Sequence, residues 1–516
     1  MSDNINYPFS FRSGATFRNP LIMAPMTTSS SQENGMISRE ELNYYYKRSH
    51  EVGAVITACA YISPEGQAFQ NGLGASNDGQ IASLRQLASV IQAGGAKAIL
   101  QIYHGGRMSR PEYNGDVLPV APSPIPPIRE WAVTPKELTH TEIEQLIIQF
   151  KEAVRRALLA GFDGVELHGA NTYLLQQFYS PHSNTRSDRW GGNRKERMQF
   201  IIEIIRGCQE VIANEAERPF VLGYRFSPEE IEEPGIRLED TFYLIDELCN
   251  MELDYLHISL GHYTKSSLLD SESNEPILNQ ISRYINGRIP LIGVGGIKTL
   301  EDVECVLKTA DLASVGKALI IDPLWAKKIL GRQGNAIQQA IRVSDKETLV
   351  IPPILWNQIV SIPQWFPVDF EDNLLIEEHT SKNKRVFLLW HQLIQWYKEN
   401  NKATATLLKD FNISQAQFEI LARLVETDKV LSQQEIAKKL LVTQGNITHL
   451  LSKLEQSGLI LKKKKWKTNG IHLTDKGHNV YTKVAPQLND LHIKYFSKLT
   501  REEQKELYAL LSKLNE

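Results

Sequence analysis

The chain has 516 residues, of which 42% are apolar and 23% charged, proportions that are ordinary for a folded globular protein and exclude bulk disorder. It contains no apolar run of ~18 residues, so the sequence predicts no membrane span. The net charge of −3 conceals a division, because residues 375–516 carry 23 basic and 15 acidic side chains whereas residues 1–374 carry 34 and 45. We therefore predict two domains, 1–374 and 375–516, and the basic one is a candidate for binding nucleic acid.

The cysteines and the N-terminus bear on the compartment in which the protein works. Cys59, Cys208, Cys249 and Cys305 lie far apart, so the sequence predicts neither a disulfide framework nor a metal site of the CxxC kind. The first residues lack the basic segment followed by an apolar segment that is typical of a secretory signal. The reducing cytoplasm is the expected location.

The first two-thirds of the chain alternates short apolar runs with helical patterns. Eight runs are predicted strands: Leu21–Ala24, Ala54–Ala58, Ala98–Ile102, Gly164–Leu167, Val221–Phe226, Tyr255–Ser259, Leu291–Val294 and Leu312–Val315. Helical patterns lie between several of them, over Ile81–Ala93, Thr141–Ala160, Arg194–Asn214, Leu238–Met251 and Leu300–Thr309. Nearly continuous apolar strands are typical of a parallel sheet covered by helices. The alternation predicts an α/β fold, a (β/α)8 TIM barrel, with a doubly wound open sheet as the alternative.

The last third of the chain changes character twice. Residues 349–373 are rich in proline and tryptophan, unlike a flexible Gly/Ser linker, and we expect them to pack on the barrel as a tail. The following residues are mostly helical in pattern, with predicted helices at Lys384–Asn400, Ser414–Glu426, Ser432–Leu441, Gln444–Ser457 and from about Lys476 onward.

Glycine-rich turns follow the last two predicted barrel strands. Gly295 and Gly296 come directly after the seventh strand and before a helix that opens at Leu300, and Gly316 and Lys317 follow the eighth. Backbone amides can converge on a phosphate in such turns, helped by the helix dipole and by the lysine. Barrel enzymes often hold phosphate in these two loops. The sequence therefore predicts a phosphate site here.

The segment after the fourth predicted strand carries the most specific combination of side chains. His168 and Asn171 can both donate hydrogen bonds into the mouth of the barrel, and two donors that converge on one carbonyl oxygen form an oxyanion site. Tyr173 can supply a proton through its hydroxyl. We interpret this group as the catalytic centre.

Two further inward positions predict a planar polar ligand. Gln101, on the third strand, is both donor and acceptor, and Arg225, on the fifth, carries a planar guanidinium, which together suit the pyrimidine edge of a flavin. No GxGxxG follows a first strand, so a Rossmann dinucleotide domain is not indicated.

With these residues in place, the chain resembles the Old Yellow Enzyme family over roughly residues 5–370. The matching segments are RNPLIMAPMT (18–27), LQIYHGGR (100–107), VELHGANTYLLQQFYSPHSNTRSDRWGG (165–192), GYRFSP (223–228), GVGG (293–296) and VGKALIIDP (315–323). The resemblance implies a barrel that holds FMN noncovalently. It also implies that NADH or NADPH supplies a hydride, which passes through the flavin to the β-carbon of an α,β-unsaturated carbonyl compound.

The resemblance also implies roles for individual residues. His168 and Asn171 would hold the substrate oxygen, and Tyr173 would protonate the α-carbon. The residues that would contact the cofactor are Ala24, Pro25, Met26, Thr27, Cys59, Gln101 and Arg225 at the ring, and Gly295, Gly296, Gly316 and Lys317 at the phosphate. Lys317 stands where the family usually has arginine, which keeps the charge but loses bidentate contact. Cys59 replaces a small residue, and the thiol is either inert filler, the reading we favour, or a redox-sensitive group.

The C-terminal region has the pattern of a winged helix-turn-helix. Ser432 and Glu435 form a capping-box pattern before one helix, and Gln444–Ser457 is an amphipathic second helix. A basic strand, a turn predicted at Asn469-Gly470 and a returning strand follow. The second helix would read the major groove and the lysines would contact phosphates. The candidate DNA-binding residues are Thr443, Gln444, Gly445, Asn446, His449, Lys453, Lys462, Lys463, Lys464, Lys465 and Lys467.

This region, about residues 380–514, resembles the MarR family of transcriptional regulators through EIAKKLLVTQGNITHLLSKLEQSGLI and IHLTDKG. The resemblance implies binding to double-stranded DNA as a homodimer. Three functions remain open. The protein is an ene-reductase of enones or quinones tethered to a transcriptional regulator, or a flavin-based sensor whose redox state or bound enone sets DNA affinity, or a reductase whose C-terminal domain serves only dimerisation or protein interaction.

Overall fold

Eight parallel strands close into a ring in the first part of the chain. We call them β1 to β8: Leu21–Met23, Ala54–Ile56, Lys97–Tyr103, Gly164–Gly169, Val221–Phe226, Tyr255–Ile258, Leu291–Val294 and Leu312–Val315. They are hydrogen-bonded in the order β2-β1-β8-β7-β6-β5-β4-β3, and a β2–β3 pairing closes the ring. The predicted (β/α)8 barrel is therefore confirmed, and the open sheet is wrong.

The computed structural model describes residues 4–129, 131–268, 274–362, 364–369, 382–427, 430–440, 444–465, 468–497 and 499–515. The chain divides into two compact units, Met1–Ile376 and Glu377–Glu516, called here the barrel unit and the C-terminal unit. No helix in these described ranges is long and apolar enough to cross a membrane.

The helices of the barrel unit follow or flank the strands. In chain order, α1 to α13 are Arg39–Arg48, Ile81–Ala93, His140–Ala160, Leu174–Tyr179, Arg194–Arg197, Gln199–Glu215, Leu238–Cys249, Ile277–Ile285, Leu300–Leu307, Lys317–Ile321, Trp325–Leu330, Lys346–Leu349 and Pro353–Ser361. The helix predicted from Arg194 to Asn214 is interrupted at Met198 and forms α5 and α6. Capping boxes fix several N-termini, such as Ser38 with Glu41 at α1.

The Pro- and Trp-rich tail packs on the barrel, as predicted. Trp356 and Ile359 of α13 and Phe366 beyond it are buried in the same apolar core as the barrel strands. Val368–Asp369 pairs in parallel with Ile341–Arg342. The tail therefore adds to the core of the barrel unit.

The C-terminal unit is mostly helical and contains a small antiparallel sheet. Its helices α14 to α19 are Lys382–Lys409, Gln415–Val425, Gln433–Leu440, Gln444–Gln456, Asp475–Phe496 and Arg501–Asn515. Its strands β9 to β11 are Leu431–Ser432, Ile460–Lys465 and Thr468–Leu473. The capping box predicted for α16 is present, since the amide of Glu435 donates to Ser432 Oγ and Glu435 Oε2 accepts from the amide of Ser432.

The turn predicted at Asn469-Gly470 is wrong. Lys464 pairs with Asn469 and Lys463 with Gly470, so both residues lie inside β11. An Asn-Gly pair favours a tight hairpin turn. Burial of Ile460 and Ile471 sets the register instead, because a shift by one residue would turn these side chains out of the core.

Candidate functional site

A cavity of about 640 Å³ opens where the carboxyl ends of several barrel strands meet. Eight of the eleven predicted cofactor residues line it: Ala24, Pro25, Met26, Arg225, Gly295, Gly296, Gly316 and Lys317. The other three, Thr27, Cys59 and Gln101, are not among its lining residues. The volume is in the range of pockets that hold small molecules and cofactors.

At two glycines of this cavity the backbone lies close to atoms of other residues. Gly295 has φ +113°, and a Cβ there would stand 2.6 Å from the carbonyl oxygen of Leu260. A Cβ on Gly316 would stand 2.9 Å from Met26 Sδ. Neither position has room for a side chain, so both loops present bare backbone to the cavity.

Two lysines give one end of the cavity a positive charge. Lys317 Nζ donates to the carbonyl oxygen of Trp365 at 2.7 Å. Burial and then the nearby charge of Lys298, which also lines the cavity, lower the pKa of Lys317. Two cations held together in this way fit a doubly charged anion such as a phosphate monoester. Lys298 was missed from the sequence, although it follows Gly296 by two positions.

The start of α9 contributes fewer backbone amide donors to the lysine end of the cavity than predicted. The amides of Lys298 and Thr299 both donate to Asp302 Oδ2 at 2.9 Å, and the amide of Asp302 donates to Thr299 Oγ1. Because this capping box holds these amides, the glycine turns and the lysines are the anion-facing groups.

Two buried polar atoms at the cavity point to a polar ligand. Arg225 Nε and Ser314 Oγ have no hydrogen-bond partner among the described residues, and both residues line the cavity. Buried polar groups in proteins are almost always hydrogen-bonded. A planar ring with acceptors along one edge would satisfy the guanidinium.

Gln101 lies deeper, in a buried polar cluster inside the barrel. Its Nε2 donates to Glu166 Oε1 at 2.7 Å, and Glu166 Oε2 accepts from the hydroxyl of Tyr255 at 3.0 Å. His257 Nδ1 lies 2.9 Å from the same oxygen. Sequence reasoning missed Glu166, Tyr255 and His257. The available signal was polar residues at alternate positions of otherwise apolar strands.

His168 is a neutral hydrogen-bond donor. Its Nδ1 accepts from the amide of Ala170 at 3.4 Å, so the ring proton is assigned to Nε2. Burial and then the charge of Arg225 lower the pKa of His168 to about 3. Tyr173 packs edge-on against His168, with ring centroids 4.9 Å apart, and burial raises its pKa well above 10. Tyr173 therefore keeps its proton at neutral pH.

Asn171 is held in place by its backbone and by a serine. Its φ is +57°, in the left-handed region, and its Oδ1 accepts from Ser259 Oγ at 2.9 Å. Ser259 Oγ accepts in turn from Arg225 Nη2 at 3.2 Å. Since Oδ1 is the accepting atom, the amide is oriented with Nδ2 as the donor. Ser259 ended a predicted strand but was assigned no role.

Beside Tyr173 lies a second, smaller cavity of about 250 Å³. Phe69, Met108 and Trp131 line it with Tyr173, together with the guanidinium of Arg110. Cys59 packs in one cluster with Tyr103 and Tyr173. Burial raises the pKa of Cys59 to about 12, which favours the inert reading of this thiol.

The helix-turn-helix has the predicted division between a buried and an exposed face. Ile447, Leu451 and Leu454 of α17 are buried, whereas His449 and Lys453 are exposed. In the hairpin Lys463 is exposed, but Lys462 Nζ forms an ion pair with Glu455 at 2.9 Å. Thr443 and Lys467 lie outside the described residues, as do the side chains of Gln444, Asn446, Lys464 and Lys465; the same holds for the surroundings of Gly445.

Fold and cavity together define a barrel enzyme that holds a planar, phosphorylated cofactor, joined to a winged helix-turn-helix. The family model described as NADH:flavin oxidoreductase / NADH oxidase matches residues 4–334, and the MarR family model matches residues 413–466. The chain belongs to the NADH:flavin oxidoreductase / NADH oxidase family and carries a MarR family domain.

Relatives agree with this assignment. The chain is 45% identical to NADH:acrylate oxidoreductase of Vibrio harveyi over 67% of its own length but only 35% of that protein's. It is 43% identical to NADH:fumarate oxidoreductase of Klebsiella pneumoniae, over 39% of that protein. It is 40% identical to a probable NADH-dependent flavin oxidoreductase, YqiG of Bacillus subtilis, over 96% of that protein. The chain thus spans little more than a third of the first two relatives.

A solved structure shows the same fold. Morphinone reductase matches with a TM-score of 0.57 and 26% identity, over 68% of this chain and 93% of that chain. The family assignment supports FMN as the cofactor. The cavity fits FMN, because Arg225 Nε and Ser314 Oγ lack protein partners among the described residues and the glycine loops and two lysines suit a phosphate.

Proposed function

We propose that the barrel unit reduces the activated C=C bond of α,β-unsaturated carbonyl compounds or quinones. The observation that carries this proposal is the grouping of neutral His168, oriented Asn171 and protonated Tyr173, in which Asn171 is linked through Ser259 to Arg225 of the cofactor cavity. The names of two relatives denote reduction of acrylate and fumarate, which also contain activated C=C bonds.

Each residue has a distinct task in this reaction. Bound FMN supplies the hydride chemistry between the nicotinamide and the substrate. His168 Nε2 and Asn171 Nδ2 donate to the substrate oxygen, on which negative charge develops as hydride reaches the β-carbon. The Tyr173 hydroxyl donates a proton to the α-carbon. The aromatic side chains of the cavity beside Tyr173 would contact the carbon skeleton of the substrate.

Anaerobic mixing experiments test this function in two stages. The FMN-loaded protein is mixed first with NADH or NADPH and then with 2-cyclohexenone or a benzoquinone, while flavin absorbance is followed. We expect bleaching in the first stage and recovery in the second. A protein that is reduced but not reoxidised by any enone or quinone would contradict the proposal.

A second function, binding of double-stranded DNA as a homodimer, is favoured by the C-terminal unit. His449 and Lys453 on α17 and Lys463 on β10 are exposed on the helix and hairpin that would meet a duplex. The first and last helices of this unit expose large apolar side chains: Leu389 and Trp390 at 62%, Tyr397 at 52%, Tyr508 at 76% and Leu510 at 53%. Surfaces of this kind mark protein interfaces, and a second copy would cover them.

Duplex binding by the intact, FMN-loaded protein tests this part. We expect affinity for a palindromic operator selected from random duplexes, and a fall in affinity with salt. Titrations with oxidised and reduced protein, each with and without enone, address the sensor alternative. Equal DNA affinity in all four states would argue against sensing, and no duplex binding at low salt would leave the unit as an interaction module.

A further inference from the structure

The function described so far gives no role to Glu166 or to its partners Tyr255 and His257. Glu166 is fully buried inside the barrel, and its carboxylate receives the three contacts from Gln101, Tyr255 and His257. Two strands supply these partners, β3 for Gln101 and β6 for Tyr255 and His257. A buried carboxylate without such contacts would be costly, so this arrangement holds Glu166 in a single position.

The cluster contains one negative and one positive charge. Burial raises the pKa of Glu166, but His257, Arg225 and Gln101 outweigh burial, and the net pKa lies below its ordinary value. Burial lowers the pKa of His257, so this ring is neutral at pH 7. The guanidinium of Arg225 is the matching positive charge, since it interacts with Glu166 across the barrel interior.

Gln101 and Arg225 lie on the two strands that flank the strand of Glu166. Gln101 on β3 is in register with Glu166 on β4, and Arg225 on β5 is in register with His168 two residues further on. The Nε2 of Gln101 donates a hydrogen bond to Glu166. The amide oxygen Oε1 is therefore not used by the carboxylate and can accept a hydrogen bond from a ligand. Arg225 lines the cofactor cavity, and its Nε has no hydrogen-bond partner in the part of the chain that the structure describes.

We propose that Glu166 is a positioning residue that lowers the electron affinity of the flavin site, by fixing the amide of Gln101 and offsetting the charge of Arg225. A hydride from NADH carries two electrons and one proton and leaves NAD⁺, so the bound cofactor gains one negative charge. Arg225 stabilises that charge, and Glu166 limits the stabilisation. The proposal rests on FMN occupying the cavity and does not depend on the substrate.

The midpoint potential of the FMN-loaded protein tests this role. It is measured by anaerobic reductive titration against a dye of known potential. We expect Glu166→Gln to favour reduction by about ten-fold in the equilibrium constant, which is a positive shift of about 30 mV for two electrons. Glu166→Asp, which keeps the charge but withdraws it by one methylene, should shift the potential in the same direction by less. Tyr255→Phe removes only a neutral hydrogen bond and should leave the potential unchanged.

Two outcomes would overturn the proposal. One is a wild-type potential in FMN-loaded Glu166→Gln, which is the result that a merely structural Glu166 would give. The other is an equal shift in Tyr255→Phe. If Glu166→Gln does not retain FMN, Glu166→Asp decides, and an unchanged potential there counts against the role. A protein that binds FMN but reduces no enone would contradict the proposed function and leave this measurement intact.

Discussion

The barrel unit and the C-terminal unit present their ligand-facing groups in opposite ways. In the barrel, Gln101, His168 and Arg225 come from three different strands, are buried, and are tied to one another or to neighbours by hydrogen bonds. In the C-terminal unit, Lys453 and Lys463 stand exposed on one helix and one hairpin. The first arrangement is fixed before a ligand arrives, whereas the lysines proposed to face DNA would act through their summed electrostatic field.

This difference teaches what single substitutions should do in each unit. A buried, pre-positioned group has no substitute, so its loss leaves a specific step unsupported. An exposed lysine is one of several and is screened by salt. We therefore expect large, salt-independent effects in the barrel and small, additive, salt-dependent effects in the C-terminal unit.

The largest expected effect is that of Tyr173→Phe. The ring would keep its packing against Tyr103, 5.1 Å away between centroids, but the proton would be lost. We expect reoxidation by enone to slow by about 10²–10⁴-fold. Reduction by NADH should change little, because it needs no proton from Tyr173. Rapid mixing of each half-reaction measures both rates.

The control for this variant is Tyr103→Phe. The hydroxyl of Tyr103 accepts from the amide of Ala68 at 3.1 Å, so its loss should lower stability and leave both half-reactions near their normal rates. Equal slowing of both half-reactions by Tyr173→Phe would remove Tyr173 as the proton donor.

The next effect in size concerns the cofactor loops. Gly295→Ala would place a Cβ against the carbonyl of Leu260 at a φ of +113°, which L-residues avoid. Strain of about 1–3 kcal/mol should weaken FMN binding by about 10–100-fold, measured by quenching of flavin fluorescence. Gly334→Ala is the control, because Gly334 is outside the cavity lining, has no positive φ, and no described atom lies within 4 Å of a Cβ built there. Comparable losses in both variants would refute the steric argument.

The two units also differ in how much of their structure could be predicted from the sequence. All eight barrel strands were predicted, because continuous apolar runs such as Leu291–Val294 are distinctive of buried parallel strands. The positions of Gly295 and Lys317 at the cavity were also predicted, since the fold itself puts strand ends together.

Residues whose importance comes from contacts across the barrel could not be predicted. Ser259 matters through Asn171, 88 positions earlier, and Glu166 through His257, 91 positions later. No local spacing encodes such pairs. The prediction of a turn at Asn469-Gly470 was wrong for a related reason. Burial of Ile471 in the core outweighed the local preference of the dipeptide for a turn.

Acid sensitivity should also separate the units, because buried neutral histidines lie in the barrel. Burial lowers the pKa of His168 to about 3 and that of His104 to about 4, against an ordinary value of about 6.5. Below pH 6.5 the unfolded chain takes up protons that the folded barrel excludes. The free energy of unfolding should therefore have its full value above pH 6.5. Below pH 6.5 it should fall by up to about 1.4 kcal/mol per pH unit for each histidine.

Urea unfolding of the intact protein between pH 8 and 5 measures this slope through tryptophan fluorescence. His104→Gln, outside the catalytic group, should remove about 1.4 kcal/mol per pH unit from it. A variant with the wild-type slope would show that His104 has the same pKa in the folded and the unfolded chain.

A smaller effect is expected from Ser259→Ala. The variant loses the hydrogen bond that orients Asn171 Oδ1 but keeps Asn171 itself. A bond worth about 0.5–1.5 kcal/mol predicts a loss of about 2- to 12-fold in kcat/KM for enone. Ser259→Thr retains the hydroxyl and should recover most of the activity. No recovery by threonine would mean that packing, rather than the hydrogen bond, sets the effect.

The smallest effects should be those of single lysines in the C-terminal unit. Lys453→Glu and Lys463→Glu each reverse one exposed charge on the predicted DNA-facing surface. Each should weaken duplex binding a few-fold at moderate salt, lower the slope of log affinity against log salt by about 1, and act nearly additively together. Lys483→Glu on α18, also exposed but outside the helix-turn-helix, the hairpin and the two helices we assign to dimerisation, is the control for net charge alone. If Lys483→Glu weakens DNA binding as much as Lys463→Glu does, the effect comes from overall charge and the helix-turn-helix surface is not the contact.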